Sequence, residues 1–113
     1  MTKEWVSQVQ VVHWLRELHP QILFWYTPNE SDCAVQYREK LKRMGALNGV
    51  SDLFFPQRAR EFSGLVVEMK SLTGRMRKEQ KAFFDKMRNL GYACITCNTA
   101  QAAIEYISWF YDL

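Results

Sequence analysis

Two acidic residues and a lysine stand at the ends of two short apolar runs. Asp52 precedes the apolar residues 53–55, while Glu68 and Lys70 end the apolar run that begins at Leu65. Turn-forming residues bound both runs, which therefore predict two short strands. Because side chains alternate between the two faces of a strand, Glu68 and Lys70 share one face.

If the two strands pair as a hairpin, the carboxylates of Asp52 and Glu68 come close together and repel each other. A divalent cation relieves such repulsion, and Mg²⁺ prefers one or two carboxylates completed by water or phosphate. Lys70 beside the cation can position or activate a water molecule and neutralise charge on a phosphate. The pattern therefore indicates metal-assisted hydrolysis of a phosphate ester. The alternative is a solvated Glu-x-Lys salt bridge, which contributes little to stability.

Gln80 lies on a predicted helix over residues 78–90, which Gly91 ends. Apolar residues follow it three, four and seven positions later, so Gln80 shares the apolar side of this helix. A buried amide needs a hydrogen-bond partner, and the nearby candidates are Lys70 and a water molecule on the cation. The alternative is a core glutamine bonded to backbone.

The composition predicts one folded domain over residues 1–113. Hydrophobic residues are 48% of the chain and aromatic residues 14%, which supplies a core and argues against disorder. The net charge of +3 permits an anionic partner. We see no run long enough to span a membrane and no signal peptide, and we expect no membrane partner. The three cysteines indicate no disulfide framework, so we expect a reducing, cytoplasmic setting.

The remaining elements must position the charged residues. Helices are predicted over residues 3–19, 34–44, 78–90 and 99–112, with strands over 22–26, 52–55, 65–70 and 92–97. The resulting order, αβαββαβα, indicates an α/β fold with a mixed sheet. Cys94 and Cys97 lie three apart on a strand and point to opposite faces, so they are not predicted to bind zinc.

Basic residues cluster after Lys70 and at the end of the second helix. They either form solvated surface or contact a phosphate backbone, which provides most non-specific affinity for DNA. No element that reads base sequence is recognisable. The residues that we predict to bind DNA are Lys42, Arg43, Arg75, Arg77, Lys78 and Lys81.

Asp52 followed by Glu68-x-Lys70 resembles the PD-(D/E)xK nuclease superfamily, and the wider pattern resembles its VRR-NUC branch of virus-type replication-repair nucleases. Ser51 departs from the family, which usually has proline before the aspartate. The chain is most similar to small stand-alone phage members. The matching segments are residues 41–45, 48–56, 64–70, 74–75 and 79–80, followed by Gly91, Tyr92, Ala103, Ile104 and Tyr106.

This resemblance implies a restriction-endonuclease-like core and a set of site residues. Asp52, Glu68, the backbone carbonyl of Met69 and an acid of the first helix would bind Mg²⁺ or Mn²⁺. The first-helix acid is Glu4, one turn before Gln8, and Glu17 is the alternative. The implied catalytic residues are Asp52, Glu68, Lys70 and Gln80.

The resemblance also places Asn29 and Glu30 near the substrate, although simple turn chemistry explains them equally well. It implies an endonuclease selective for branched DNA, such as Holliday junctions or flaps, in a bacterial or phage-infected cell. Exposed aromatic residues such as Trp109 favour an apolar interface, and the family implies a homodimer. The alternatives are a restriction-type or nicking nuclease, a catalytically silent DNA-binding module, and a structural interaction protein.

Overall fold

The computed structural model describes residues 3–28 and 34–113 as a four-stranded sheet with helices packed on it. The α/β class, the mixed sheet and the predicted order of elements are confirmed. The elements are α1 (Glu4–Leu18), β1 (Trp25–Tyr26), α2 (Val35–Arg43), β2 (Leu53–Phe55), β3 (Leu65–Met69), α3 (Lys78–Asn89), β4 (Ala93–Cys97) and α4 (Ala100–Tyr111).

The strands lie in the order β1-β2-β3-β4. β2 pairs antiparallel with both β1 and β3, whereas β4 runs parallel to β3. In the β2–β3 hairpin Leu53 stands opposite Val67. One step further along this register places Asp52 beside Glu68, as the predicted hairpin requires.

The two faces of the sheet are packed differently. Leu65, Val67 and Met69 point into a large apolar cluster that α1 and α4 cover. The residues between them on β3 point the other way, where Val66 joins a smaller cluster with Phe84 of α3. Every residue of β3 is buried, so the alternation of its side chains assigns one face to the main core and the other to α3.

β1 is shorter than predicted. The predicted strand over residues 22–26 is reduced to Trp25 and Tyr26. The side-chain amide of Gln57 takes both backbone hydrogen-bonding groups of Leu23, which are then not available to a neighbouring strand. Leu23 N donates to Gln57 Oε1, and Gln57 Nε2 donates to Leu23 O at 2.8 Å. Ile22 still packs against the main core.

Helix ends follow the sequence signals. Thr99 caps α4 by accepting a hydrogen bond from Ala102 N at 3.1 Å. α2 ends before Gly45 and α3 before Gly91, both with positive φ. α2 buries none of its residues. Within the described ranges no helix is both long and apolar enough to span a membrane.

Candidate active site

Asp52 is anchored at the point where β2 begins. Its Oδ2 accepts a hydrogen bond from Met69 N at 2.8 Å, across the hairpin. Its backbone carbonyl accepts one from Thr27 N at 2.9 Å, just after β1. These two bonds fix the carboxyl group beside the end of β3, where Glu68 lies.

A buried network joins Glu68, Lys70 and Gln80. Lys70 Nζ donates to Gln80 Oε1 at 2.7 Å, and Gln80 Nε2 donates to Glu68 Oε2 at 3.2 Å. The Lys70 ammonium also lies 3.6 Å from Glu68 Oε2. Gln80 is 4% exposed, so its predicted burial and its contact with Lys70 are both found.

Gln80 also bonds to backbone, which is the alternative that the sequence predicts for it. Its Oε1 also accepts a hydrogen bond from Arg77 N at 2.9 Å, which satisfies a free N–H at the start of α3. The same amide therefore caps the N-terminus of α3 and binds the lysine. Because the oxygen serves both donors, the start of α3 fixes the position of the ammonium group.

Glu68 keeps one oxygen without a partner. Oε1 is buried and makes no hydrogen bond within the described part of the chain. Burial first, and then the nearby charge of Asp52, raise the pKa of Glu68 to about 8, while Lys70 opposes the rise. Burial likewise raises the pKa of Asp52, although the bond from Met69 N lowers it. Two carboxyl groups this close favour sharing one proton or binding one cation.

Glu4 is the first-helix acid nearer to this pair. Its negative charge contributes to the raised pKa of both Asp52 and Glu68. Glu17 lies thirteen residues further along α1, about 20 Å away along the axis. Among the described residues, no three His, Cys, Asp or Glu side chains come close enough to form a complete metal site. Of the three predicted acidic ligands, Asp52 and Glu68 lie side by side, whereas Glu4 interacts with them only through its charge.

A family model described as the VRR-NUC domain matches residues 3–101. The chain belongs to the VRR-NUC family. A solved structure titled "VRR_NUC domain protein" superposes with a TM-score of 0.83 at 19% identity, over 98% of this chain and 89% of that one. No curated protein matches the chain significantly. The fold is therefore of the nuclease type that this family shares.

Next to Asp52 lies one further buried polar residue of this VRR-NUC domain, Ser51, which in the sequence is only a departure from the family pattern. Ser51 is 3% exposed, and its hydroxyl makes no hydrogen bond within the described part of the chain. Its position directly before Asp52 was the one available signal. Nothing in the local pattern indicates that the hydroxyl is buried.

The basic residues predicted to bind DNA lie at the surface of this VRR-NUC domain. Four of them occupy the link after β3 and the first turns of α3, next to Gln80, and two end α2. Asn29 and Glu30 lie outside the described residues. The exposed basic residues are Lys42, Arg43, Arg75, Arg77, Lys78 and Lys81.

The Cys94-x-x-Cys97 pair is separated as predicted. Cys97 lies in the main core and Cys94 in the smaller cluster under α3. Burial raises the pKa of each thiol to about 11. Both side chains are therefore neutral packing groups at physiological pH.

Proposed function

We propose that the protein is a metal-dependent endonuclease that hydrolyses phosphodiester bonds in DNA. The observation that carries this proposal is the unpartnered, buried Oε1 of Glu68 beside the Asp52 carboxyl group. A buried carboxylate oxygen without a partner is costly unless a ligand completes it. Without a cation, a proton shared between Glu68 and Asp52 can serve the pair, and a bound cation would replace that proton.

The residues present fit a divalent cation. Asp52 and Glu68 Oε1 would hold it, with the Met69 carbonyl and, through water, Glu4. Hard cations such as Mg²⁺ take one or two carboxylates and keep several waters, which matches a site built on the two neighbouring carboxyl groups of Asp52 and Glu68. When bound, Mg²⁺ or Mn²⁺ would act as a Lewis acid on the phosphate and would lower the pKa of a water molecule that it binds.

Lys70 would face the phosphate of the substrate. An ammonium group has three donors. One N–H of Lys70 donates to Gln80 Oε1 at 2.7 Å, and a second faces Glu68 Oε2, which lies 3.6 Å from Nζ. The third is left for the attacking water or a phosphate oxygen, whose negative charge grows as water attacks phosphorus and the bond to a sugar oxygen breaks. Gln80 acts through Lys70 as a positioning residue.

The substrate class rests on the basic surface and on the family. The four basic residues of the link after β3 and the first turn of α3 precede or adjoin Gln80 in the chain and would hold the DNA backbone beside the site. Branched DNA, such as a four-way junction or a flap, is the substrate that we propose. A homodimer is proposed as well, because Trp5 and Trp109 are 63% and 51% exposed. Light scattering at micromolar concentration tests this, and a monomer would exclude the dimer.

The cleavage experiment uses labelled four-way junction, 5′ flap and plain duplex of one sequence, with Mg²⁺, Mn²⁺ or EDTA. Lys70→Met keeps an unbranched apolar side chain of similar length and removes the charge, and we expect it to cut about 10²–10³-fold more slowly. Lys86→Ala is the matched control, since it removes an exposed lysine from the end of α3 that is not predicted to bind DNA. Circular dichroism checks that both variants fold.

Each outcome decides between the candidate functions. Metal-dependent cutting of a branched substrate, lost in Lys70→Met and kept in Lys86→Ala, supports the proposal. Cutting that follows sequence and ignores branching indicates a restriction-type or nicking nuclease. Binding without cutting in either metal indicates a silent DNA-binding module, and the absence of both binding and cutting contradicts a role on DNA.

A further inference from the structure

A pocket of about 370 Å³ lies between α3 and β4, on the face of the sheet that carries Glu68. Its lining combines one side of α3 with one residue of β4 and one of the link after β3. The lining residues of this α3–β4 pocket are Lys81, Phe84, Asp85 and Arg88 of α3, Thr96 of β4, and Met76 of the link. Two positive charges and one negative charge give this lining a net charge of +1.

The α3–β4 pocket borders the carboxylate pair. Thr96 stands opposite Glu68 of β3, and partners on neighbouring strands lie about 5 Å apart with their side chains on one face. Cys94, two residues before Thr96, packs with Phe84 under α3, so the side chain of Thr96 also points to the α3 face. An anion in the pocket would therefore lie close to a phosphate at the carboxylates.

The open edge of β4 offers a backbone donor at this pocket. β4 is the outermost strand, and Cys97 O faces inward, where it accepts a hydrogen bond from Lys70 N at 2.8 Å. Because backbone groups alternate in direction along a strand, Cys94 O and Thr96 N both point outward and lie side by side. Arg88 Nη2 donates to Cys94 O at 3.1 Å, so its guanidinium group lies next to the N–H of Thr96.

Arg88 is held in place and keeps unused donors. Its guanidinium carbon lies 5.2 Å from the centroid of the Phe84 ring, and one of its five N–H groups bonds to Cys94 O. Within residues 3–28 and 34–113, Arg88 forms no ion pair and its other N–H groups form no hydrogen bond. A positioned guanidinium group beside a backbone N–H suits a phosphate oxygen.

We propose that the α3–β4 pocket binds the DNA phosphate next to the one that is cut. The proposal rests on the proposed function and adds Arg88 and Thr96, neither of which is predicted from the sequence to bind DNA. Arg88 and Lys81 pair with the phosphate, and the N–H and hydroxyl groups of Thr96 donate to its oxygens. The net charge of +1 matches the single negative charge of a phosphodiester, whereas a phosphate monoester carries about −1.5 to −2.

The first test is the salt dependence of binding to duplex DNA, measured by fluorescence anisotropy in EDTA, where no cleavage is needed. Arg88→Gln should reduce the slope of log K against log[salt] by about 0.9, the value for one phosphate contact. Lys86→Gln removes an exposed charge of the same helix outside the pocket and is the matched control. Equal slopes in the two variants overturn the proposal. Circular dichroism checks that both variants fold.

Asp85→Asn should act in the opposite direction. It removes the negative charge of the lining and should tighten DNA binding about fivefold, the effect of one charge about 4 Å away in water. Glu105→Gln removes the same charge from α4 on the other side of the sheet, and it should tighten binding much less. Equal tightening by both variants means that only the net charge matters, which overturns the pocket.

The position of the phosphate is tested with DNA that carries one uncharged methylphosphonate at each position in turn. In the wild type, binding should weaken when the replaced group adjoins the cleavage position, which is mapped with Mg²⁺. Arg88→Gln should lose sensitivity at that position alone, because the contact is already absent. Interference that is the same in both proteins at every position contradicts the proposal.

These readouts separate the pocket from the nuclease. Cleavage by the wild type, with an unchanged salt slope in Arg88→Gln, overturns the pocket and leaves the nuclease intact. A reduced slope without cleavage of any DNA by the wild type removes the nuclease but supports the pocket. Inorganic phosphate that displaces DNA from the wild type at constant ionic strength, but not from Arg88→Gln, assigns the pocket to a free anion and overturns the proposal.

Discussion

The two faces of the sheet differ in what β3 contributes to them: apolar core residues on one face and charged residues on the other. On the side of α1 and α4, β3 contributes Leu65, Val67 and Met69 to a continuous apolar core. On the side of α3, the apolar cluster is small. After Val66, the next residue of β3 that points to this side is Glu68. The apolar packing on the α1–α4 face stabilises the fold, which allows the α3 face to bury charges that destabilise it.

The α3 face is more constrained than its thin apolar packing indicates. Lys70, Gln80 and the N–H of Arg77 are joined through one amide oxygen. Burial of an ion pair contributes little net stability, but loss of one partner leaves a buried charge and is costly. On the α3 face, stability should therefore depend on the charge and hydrogen bonding of single side-chain atoms. On the opposite face it should depend on the volume of the apolar side chains.

Truncation of the main core should have the largest effect on stability. Ile107 of α4 is fully buried, and we expect Ile107→Ala to lower the free energy of unfolding by about 3–4 kcal/mol. Ile104→Ala, on the same helix but only partly buried, should lower it by about 1 kcal/mol. Urea unfolding measures both. Cleavage per folded molecule should not change, and a selective loss of cleavage in Ile107→Ala would contradict the division between the faces.

The pH dependence of stability should come from the α3 face. Glu68 has a pKa of about 8 in the folded protein and near 4.5 in the unfolded chain, so the folded state binds the extra proton between these values. Its stabilising contribution is complete below pH 4.5 and is lost as the pH rises through 8. We expect the metal-free protein to lose about 2–3 kcal/mol of unfolding free energy from pH 5 to 8.

This pH series is measured by urea unfolding in EDTA. Mg²⁺ or Mn²⁺ added at pH 8 should restore most of the lost free energy, because the ionised carboxylates bind the cation. Stability that rises steadily from pH 5 to 8 would contradict the raised pKa of Glu68.

A smaller effect is expected at the loop that leads to Asp52. Gly49 has φ of +87°, and a Cβ there would lie 2.4 Å from the backbone oxygen of Glu79 on α3. Gly45 has φ of +106° with open space around it. Gly45→Ala thus isolates the backbone strain, about 1 kcal/mol, and Gly49→Ala adds a displacement of the loop for a total of about 1–2 kcal/mol.

Cleavage should separate these two glycine variants more clearly than stability does. Gly49→Ala moves the loop against α3 and shifts Asp52, so we expect it to lose most of its activity. Gly45→Ala should keep its activity. Equal cleavage by the two variants would mean that the contact with Glu79 does not position the site.

The sequence predicted the α3 face better than it predicted the edge of the sheet. Gln80 was identified because its spacing with apolar residues implied burial, and a buried amide requires a partner. The Glu68–Lys70 face followed from strand alternation in the same way. Both are local rules, and the structure places these side chains within hydrogen-bonding or ion-pairing distance of one another.

What the sequence missed depends on contacts between distant residues. The predicted strand over residues 22–26 is longer than β1, because Gln57, 34 residues away from Leu23 in the chain, bonds to the backbone of Leu23. Glu4 and Glu17 could not be separated, since both lie on one helix and only its docking on the sheet decides which end is near Asp52.

The most direct test of the central claim is the unfolding free energy of Glu68→Gln at pH 8 in EDTA, beside the wild type and the exposed control Glu39→Gln. Glu68→Gln keeps an amide oxygen beside Lys70 and removes the buried negative charge that Asp52 repels. If Glu68 is kept as a ligand for a cation, Glu68→Gln is therefore more stable than the wild type, gains nothing from Mg²⁺ or Mn²⁺, and does not cut DNA. The wild type and Glu39→Gln are both stabilised by the cation. A Glu68→Gln protein that is less stable than the wild type, and that the cations stabilise equally, would contradict the account.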